Sequence, residues 1–269
     1  MHSVLLIFSL LIFVQALQPA LAETAELAAS VADRPLTLKQ VLDNLARANH
    51  DRAHALQGYQ GTRTYRVEYR GFPSNRSAEM LVTVDYRAPG TKEFTIRSAT
   101  GSKLIIDRVF KKLLEAEKDA QTERMQMRTA LNTDNYKFTM VGLEGTPTGL
   151  MYVLIVEPKT PDKFLYRARV WVDAKDFAIV RIKGEPATNP SFWIKNSEIE
   201  QVYKKVGNFW LPARNHSMST IRLGGSAELT IEYGSYKTTS ADEIETVAKP
   251  NALEDSRGVL DVAEHRSKP

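Results

Sequence analysis

Cysteine is absent from this 269-residue chain, so no disulfide holds it together and no thiolate can act as a nucleophile or metal ligand. A lipid anchor on a cysteine is excluded for the same reason. Histidine is scarce, with five residues, and only His216 and His265 follow the first predicted helix. The motifs Gly-x-Ser-x-Gly and Gly-x-Gly-x-x-Gly and the phosphate-binding loop do not occur either. These absences predict a protein that is not an enzyme.

Two of the histidines, His50 and His54, stand at i and i+4 spacing in a predicted helix, which can place two metal ligands on one face. The residues between them lack the glutamate of the zinc-protease pattern, and the sequence offers no third ligand. We interpret them as surface histidines. The sequence thus predicts no catalytic residue, no metal and no other cofactor.

Long apolar runs are absent except at the start of the chain. An uncharged apolar run from Val4 to Leu17 is followed by Pro19 and by the small residues Ala20 and Ala22. This pattern predicts a signal peptide, residues 1–22, cleaved after Ala22, and export to the periplasm. No Lys or Arg precedes the run, so a retained N-terminal anchor stays open as the alternative.

The chain divides into four predicted parts. Residues 1–22 are the signal peptide, residues 23–36 a flexible Ala-rich leader, residues 37–239 one domain, and residues 240–269 a polar tail that we expect to be disordered. The domain is long enough to bury one substantial core without disulfides.

An amphipathic helix begins the domain, with Thr37 as its predicted N-cap. Leu38, Val41, Leu42 and Leu45 recur there at helical spacing and need an apolar surface to cover. After Gly58 the pattern changes to the alternation of strands, which predicts about nine strands in all.

One helical segment, residues 101–131, interrupts these strands as a long or broken helix. The strand Leu150 to Val156 is apolar on both faces, so both faces must be covered. We expect the core to cover one face and a helix or a bound guest to cover the other. The segment from Arg167 to Ala187 predicts a hairpin, with Val170 and Val172 on one face of its first strand and Ala178, Val180 and Ile182 on one face of its second.

The last strands resemble a known family. The segments VWVDAKDFAIVRIKG, YKKVGNFWLPARNHS and AELTIEYGSYK, within residues 165–238, resemble the carboxy-terminal strands of bacterial outer-membrane lipoprotein-sorting proteins, the superfamily of the periplasmic lipoprotein carrier. The resemblance implies a mainly β (α+β) fold: an incomplete, strongly curved antiparallel β-barrel with helices covering its concave face, where acyl chains bind.

The charge of the chain fits such a role. A net charge of +4 and a pI of 9.1 favour an anionic partner. Because export separates the chain from nucleic acid, we expect envelope components instead. The expected partners are lipid or lipoprotein acyl chains, with inner- and outer-membrane envelope proteins as further partners and no nucleic acid, and we expect a monomer.

The predicted function is therefore a periplasmic carrier or sensor that binds lipid or lipoprotein acyl chains and serves outer-membrane lipoprotein sorting. The alternative is an envelope-stress regulatory or protein-interaction module of the same fold, without lipid transport. In either case the inward rows of the first three strands are expected to line a cavity and to face the first helix. The predicted lining consists of Leu38, Val41, Leu42, Leu45, Tyr65, Val67, Tyr69, Met80, Val82, Val84, Tyr86, Phe94 and Ile96.

Overall fold

The structure is a computed structural model that describes residues 36–222 and 224–241. The predicted signal peptide, nearly all of the predicted leader and nearly all of the predicted tail lie outside these residues. Within them, a first helix precedes ten strands, one more than the number expected, and a helical insert separates the third strand from the fourth. The helices are α1 (Leu38–Ala55) and, in the insert, α2 (Lys103–Ile105), a π-helical turn (Ile106–Phe110), α3 (Lys111–Asp119) and α4 (Glu123–Thr129). The strands are β1 (Leu56–Arg70), β2 (Arg76–Arg87), β3 (Thr91–Gly101), β4 (Tyr136–Thr146), β5 (Gly149–Pro158), β6 (Tyr166–Asp173), β7 (Ile179–Pro186), β8 (Ile194–Val206), β9 (Phe209–Ile221) and β10 (Ser226–Ser240).

All ten strands form a single antiparallel sheet in the order β3-β2-β1-β10-β9-β8-β7-β6-β5-β4. The first strand pairs with the last over residues Leu56 to Arg70, which brings the two ends of the domain together. The edge strands β3 and β4 do not pair with each other, so the sheet stays open. This confirms the predicted fold class, a mainly β protein whose open sheet fits an incomplete, curved barrel.

Both ends of α1 are fastened. Thr37 and Gln40 form a capping box, in which the Thr37 hydroxyl accepts from the Gln40 amide and the Gln40 side chain accepts from the Thr37 amide. This confirms Thr37 as the N-cap. At the other end, Arg52 donates to the backbone carbonyls of Asp176 and Phe177, each at 2.8 Å. These contacts hold α1 against the turn between β6 and β7.

The insert crosses from β3, one edge of the sheet, to β4, the other edge. A buried ionic cluster fixes it to the sheet: Glu117 of α3 accepts from Arg63 of β1 at 2.5 Å and from Lys92 of β3 at 2.8 Å. Burial disfavours a charged carboxylate, but Lys92 and Arg63 outweigh that effect and lower the pKa of Glu117 to about 2. The carboxylate is therefore ionised at neutral pH and shared by two cations.

Two apolar cores result, and they correct one expectation. The inward rows of β1 and β2 pack against the insert in a first core, whereas α1 packs against β4–β7 in a second core. The sequence suggested that the inward rows of the first strands face α1. In the structure they face the insert instead. The physical reason is that the insert is also amphipathic and lies directly over β1–β3, so it supplies the apolar cover. The first core includes Tyr65, Val67, Met80, Val82, Val84, Tyr86, Ile105, Phe110, Leu113 and Leu114.

Candidate functional site

A cavity of 340 Å³ lies between α1 and strands β7–β9. Its apolar wall includes Leu42 and Leu45 on the helix and Ile182, Ile199 and Leu211 on the sheet. The cavity persists beside a filled second core because the sheet is wider than the strip that one helix can cover. Apolar walls with a few polar groups are the usual composition of a small-molecule site.

The hairpin between β6 and β7 supplies one side of this cavity. Val170 and Val172 are buried, as predicted, and belong to the second core. A bulge in the pairing of β6 with β7 shifts the second strand, so that Ile179 lines the cavity and Val180 does not. Ala178 and Ile182 line the cavity on the predicted face, so the bulge changes only the pair Ile179 and Val180, because an extra residue in one strand re-aims the side chains beside it.

Strands β8 and β9 contribute a polar wall, formed by Ser197, Gln201, Ser217 and Ser219. Ser197 lies opposite Ser219 in the antiparallel register, and their hydroxyl oxygens are 3.0 Å apart. Ser217 and Ser219 are 6% and 9% exposed, so they face the cavity and little of the outside. These groups can donate or accept hydrogen bonds and carry no charge.

Two tyrosines extend this uncharged polar surface. Tyr166 and Tyr203 line the cavity, and Tyr203 donates a hydrogen bond of 3.0 Å to the side-chain oxygen of Gln201. Burial raises the pKa of both hydroxyls, and neighbouring Tyr136 raises that of Tyr166 further. Both tyrosines therefore stay protonated at any physiological pH and act as neutral hydrogen-bonding groups.

Charged side chains occur at other positions of the lining, where Asp43 and Lys163 are exposed. Arg52 is half-buried and already engaged with two backbone carbonyls. Burial is the largest influence on its pKa and lowers it, although Asp176, Asp51 and Asp173 oppose that effect. The polar wall thus contains no formal charge, and the exposed charges are available to a guest's charged end.

Only Leu42 and Leu45 of the predicted lining residues border this cavity. Tyr69 is partly exposed and donates to the Phe72 carbonyl, Phe94 packs at the margin of the first core, and Ile96 is 42% exposed. A binding role for these rows stays a prediction. The other predicted residues lie in the second core or beside it (Leu38, Val41) and in the first core (Tyr65, Val67, Met80, Val82, Val84, Tyr86).

Sequence reasoning missed the polar wall, although the sequence carried a signal for it. In the second half of β9, from Arg214 onward, the buried positions are Asn215, Ser217 and Ser219, while Met218 between the two serines is 41% exposed. A strand that places polar residues inward and an apolar residue outward reverses the usual pattern. Such a reversal predicts that the inward face meets something other than ordinary core.

No metal site is evident among the described residues, where no group of three or more potential ligand side chains comes together. His50 and His54 stack edge to face with ring centroids 4.3 Å apart. Within the same part of the chain, no helix has the length and apolar character to cross a bilayer.

Comparisons with known proteins give distant structural likenesses. No protein-family model matches the chain, and no curated protein matches it significantly. A DUF1329 family protein from Desulfovibrio piger is similar in structure, with 13% identity, a TM-score of 0.38, and coverage of 74% of this chain and 92% of that chain. An outer membrane lipoprotein-sorting protein domain from Vibrio parahaemolyticus has 11% identity, a TM-score of 0.36, and coverage of 78% and 98%.

A LolA superfamily protein from Nitrosomonas europaea is also similar, with 12% identity, a TM-score of 0.35, and coverage of 76% of this chain and 94% of that chain. The structures found thus include the superfamily that the carboxy-terminal strands resemble.

Proposed function

We propose that this protein is a periplasmic carrier or sensor, without enzymatic activity, that holds an acyl chain in the cavity between α1 and β7–β9. The cavity is the observation that carries the proposal. Each methylene moved from water into such an apolar space contributes about 0.8 kcal/mol without needing a directional contact. The predicted signal peptide supports the location.

The size of the cavity favours one chain. At 340 Å³ the cavity lies near the lower end of the range for small-molecule pockets, about 300 to 1,000 Å³. That suits a single chain of medium length, or one chain of a larger lipid whose remainder stays outside. Sorting of outer-membrane lipoproteins would then engage the guest through one acyl chain.

The polar wall further restricts which chemical groups the guest can carry. A hydrocarbon chain alone would place apolar groups against the Ser217 hydroxyl and would leave the Ser219 hydroxyl only its bond to Ser197, and buried polar groups without partners are costly. A neutral hydrogen-bonding group on the guest, such as a hydroxyl, ester or amide, would satisfy them. A carboxylate or phosphate at the end of the guest would instead lie near exposed Lys163.

The test is ligand uptake measured by native mass spectrometry and by titration with dodecanoic acid. We expect one bound acid per wild-type protein. The variant Ala53→Trp places an indole in the cavity from α1 and is expected to weaken binding by about tenfold or more, because it removes the volume that the guest needs. Wild-type protein that stays empty at saturating acid would overturn the proposal.

Arg47→Trp is the matched control, since Arg47 is exposed on the same helix and does not line the cavity. It introduces the same indole while leaving the cavity open, so binding should stay within about twofold. Equal losses in both variants would mean that the indole disturbs α1 itself and that the cavity does not hold the guest.

A second candidate is an envelope regulatory module that binds a protein partner without transporting lipid. The observation in its favour is the unpaired edge of the sheet at β4, where Val141 and Leu143 are 56% and 44% exposed and Leu150 of β5 is 57% exposed. An open edge strand offers backbone groups to another chain. Crosslinking in cells that captures one partner, lost in Val141→Lys, together with an empty cavity would favour this function.

A further inference from the structure

Three loops meet at one end of the sheet and expose large aromatic side chains there. We call this end the aromatic tip: residues 71–75 between β1 and β2, residues 190–193 before β8, and residues 222, 224 and 225 between β9 and β10. Phe72 is 83% exposed, Phe192 73% and Trp193 38%. Exposure of this kind on neighbouring loops marks an interaction surface.

Contacts between the loops make the tip one continuous surface. The Arg222 amide donates to the Trp193 carbonyl at 2.8 Å, and the Arg222 guanidinium lies over the Phe192 ring at 5.3 Å from its centroid. A Cβ added to Gly71 would lie 2.9 Å from the Gly224 carbonyl, so these two loops touch through their backbones. The rings of Phe192 and Trp193 pack edge to face at 5.3 Å.

The charges around the tip have one sign. Residues 69–77, 187–197 and 219–227 contain the cations Arg70, Arg76, Lys195 and Arg222 and no Asp or Glu. Arg70 pairs with Glu68, just outside these ranges. The other three cations form no ion pair within residues 36–222 and 224–241. An anionic surface would therefore meet three available positive charges.

We propose that the aromatic tip docks this protein on the surface of an anionic lipid bilayer. Aromatic side chains, Trp above all, favour the boundary between headgroups and acyl chains, and neighbouring cations attract anionic headgroups. The combination of the two is what distinguishes a bilayer surface from a flat apolar protein interface. This inference does not depend on which guest the cavity holds.

The aromatic tip lies beside the cavity, so docking on a bilayer would bring the cavity close to the lipids. Pro190 and Ile194 flank the exposed pair Phe192 and Trp193, and both line the cavity. Ser197 and Ser219 of the polar wall lie in β8 and β9 close to the same end. A guest that enters or leaves at this end would pass between the bilayer and the cavity with little exposure to water.

The experiment is co-flotation of the protein with vesicles that contain phosphatidylglycerol and phosphatidylcholine, compared with vesicles of phosphatidylcholine alone. We expect wild-type protein to float with the anionic vesicles and to lose binding at high salt, because salt screens the cations. Tryptophan emission should shift to the blue as the Trp193 ring enters the headgroup region, and because the chain has three tryptophans the part due to Trp193 is the part that Trp193→Phe removes. Wild-type protein that stays in solution with anionic vesicles would overturn the proposal.

Two sets of substitutions separate the contribution of the aromatic side chains from that of the cations. The triple variant Phe72→Ser, Phe192→Ser, Trp193→Ser is expected to lower the bound fraction about tenfold or more. The variant Arg76→Gln, Lys195→Gln, Arg222→Gln should weaken binding to anionic vesicles by about fivefold per cation and leave binding to neutral vesicles unchanged. All six positions are exposed, and circular dichroism checks that each variant stays folded.

The matched control is Val141→Ser, Leu143→Ser, Leu150→Ser, which removes three exposed apolar side chains at the β4 edge. It should float like wild type. If the control loses as much of its vesicle-bound fraction as the aromatic variant does, then nonspecific binding by exposed apolar side chains explains flotation, and the proposal would fail. If wild-type protein forms a dimer in solution and only the aromatic variant is monomeric, the tip serves self-association. That result would also overturn the proposal.

Discussion

The two halves of the concave face differ in how they are filled. Over β1–β3 the inward residues are large, including Tyr65, Met80 and Tyr86, and the insert adds Phe110 from the other side, so no space is left. Over β8 and β9 the inward residues include Ser197, Gln201, Ser217 and Ser219 among larger side chains, and the cavity remains. The same open sheet thus becomes a core or a cavity according to the size of one row of side chains.

The halves also differ in their charges. The filled half buries the cluster of Glu117, Arg63 and Lys92, which carries one excess positive charge. Rings of Phe94 and Tyr233 lie near the Arg63 guanidinium, at 5.6 and 4.8 Å from their centroids, and cation–π attraction helps to hold that charge. The polar wall of the cavity is neutral. Damage to the first half should therefore cost stability, and damage to the second should cost binding.

The largest expected effect is that of Val82→Asp. Val82 is fully buried in the first core, and an unpaired carboxylate there is expected to destabilise the fold by about 5 kcal/mol. Thermal unfolding followed by circular dichroism measures this. Arg66→Ala is the control, because Arg66 lies on the exposed face of β1 and should change stability by less than about 1 kcal/mol. A stable Val82→Asp protein that had lost only ligand binding would assign β2 to the cavity and contradict the comparison.

Removing the shared carboxylate comes next. Glu117→Leu leaves the cations Arg63 and Lys92 buried without their partner, which is expected to cost about 4 kcal/mol. The measurement is the free energy of unfolding in urea. The control Asp107→Leu removes an exposed carboxylate from the same insert and should leave the free energy of unfolding close to that of wild type. Equal effects would show that the buried cluster does not hold the insert.

Acid should weaken the same cluster. The pKa of Glu117 is about 2 in the folded protein and 4.5 ordinarily, so its contribution is complete above pH 4.5, falls as the pH drops, and is lost below about 2. The contribution is about 3 kcal/mol. Asp162 and Asp176 also have lowered pKa values and contribute to the pH dependence of stability. The measurement is therefore the difference in free energy of unfolding between wild type and Glu117→Gln at each pH. A pH dependence identical in both proteins would argue against the assignment.

The smallest effect concerns the polar wall. The double variant Ser217→Ala, Ser219→Ala removes two hydroxyls with little change in shape. It should weaken the binding of a chain that carries a hydroxyl, such as a hydroxydodecanoic acid, by about fivefold for each lost hydrogen bond. Binding of dodecanoic acid itself should stay within about twofold, which isothermal titration can verify. Ser98→Ala on exposed β3 is the control. Equal losses for both acids would mean that the wall is not selective.

Local pattern was enough to predict the elements. The capping residue Thr37, the helical periodicity after it and the helical segment within residues 101–131 all appear in the structure as expected, because each depends on residues close in the chain. The open, mainly β fold was also predictable from the many alternating segments and the resemblance of the last strands. Leu42 and Leu45 border the cavity, but the rows of β1 and β2 do not.

The amino-acid sequence by itself determined where strands and helices form and that no disulfide supports them. Tertiary structure alone decided which helix covers which strands. Both α1 and the insert are amphipathic and either could cover either half, so the choice depends on long-range contacts. Arg63 reaches Glu117 across 54 positions of the chain, and Arg52 reaches the turn at Asp176 across 124. Those contacts put the insert over β1–β3 and α1 over β4–β7, and so left the cavity beside β8 and β9.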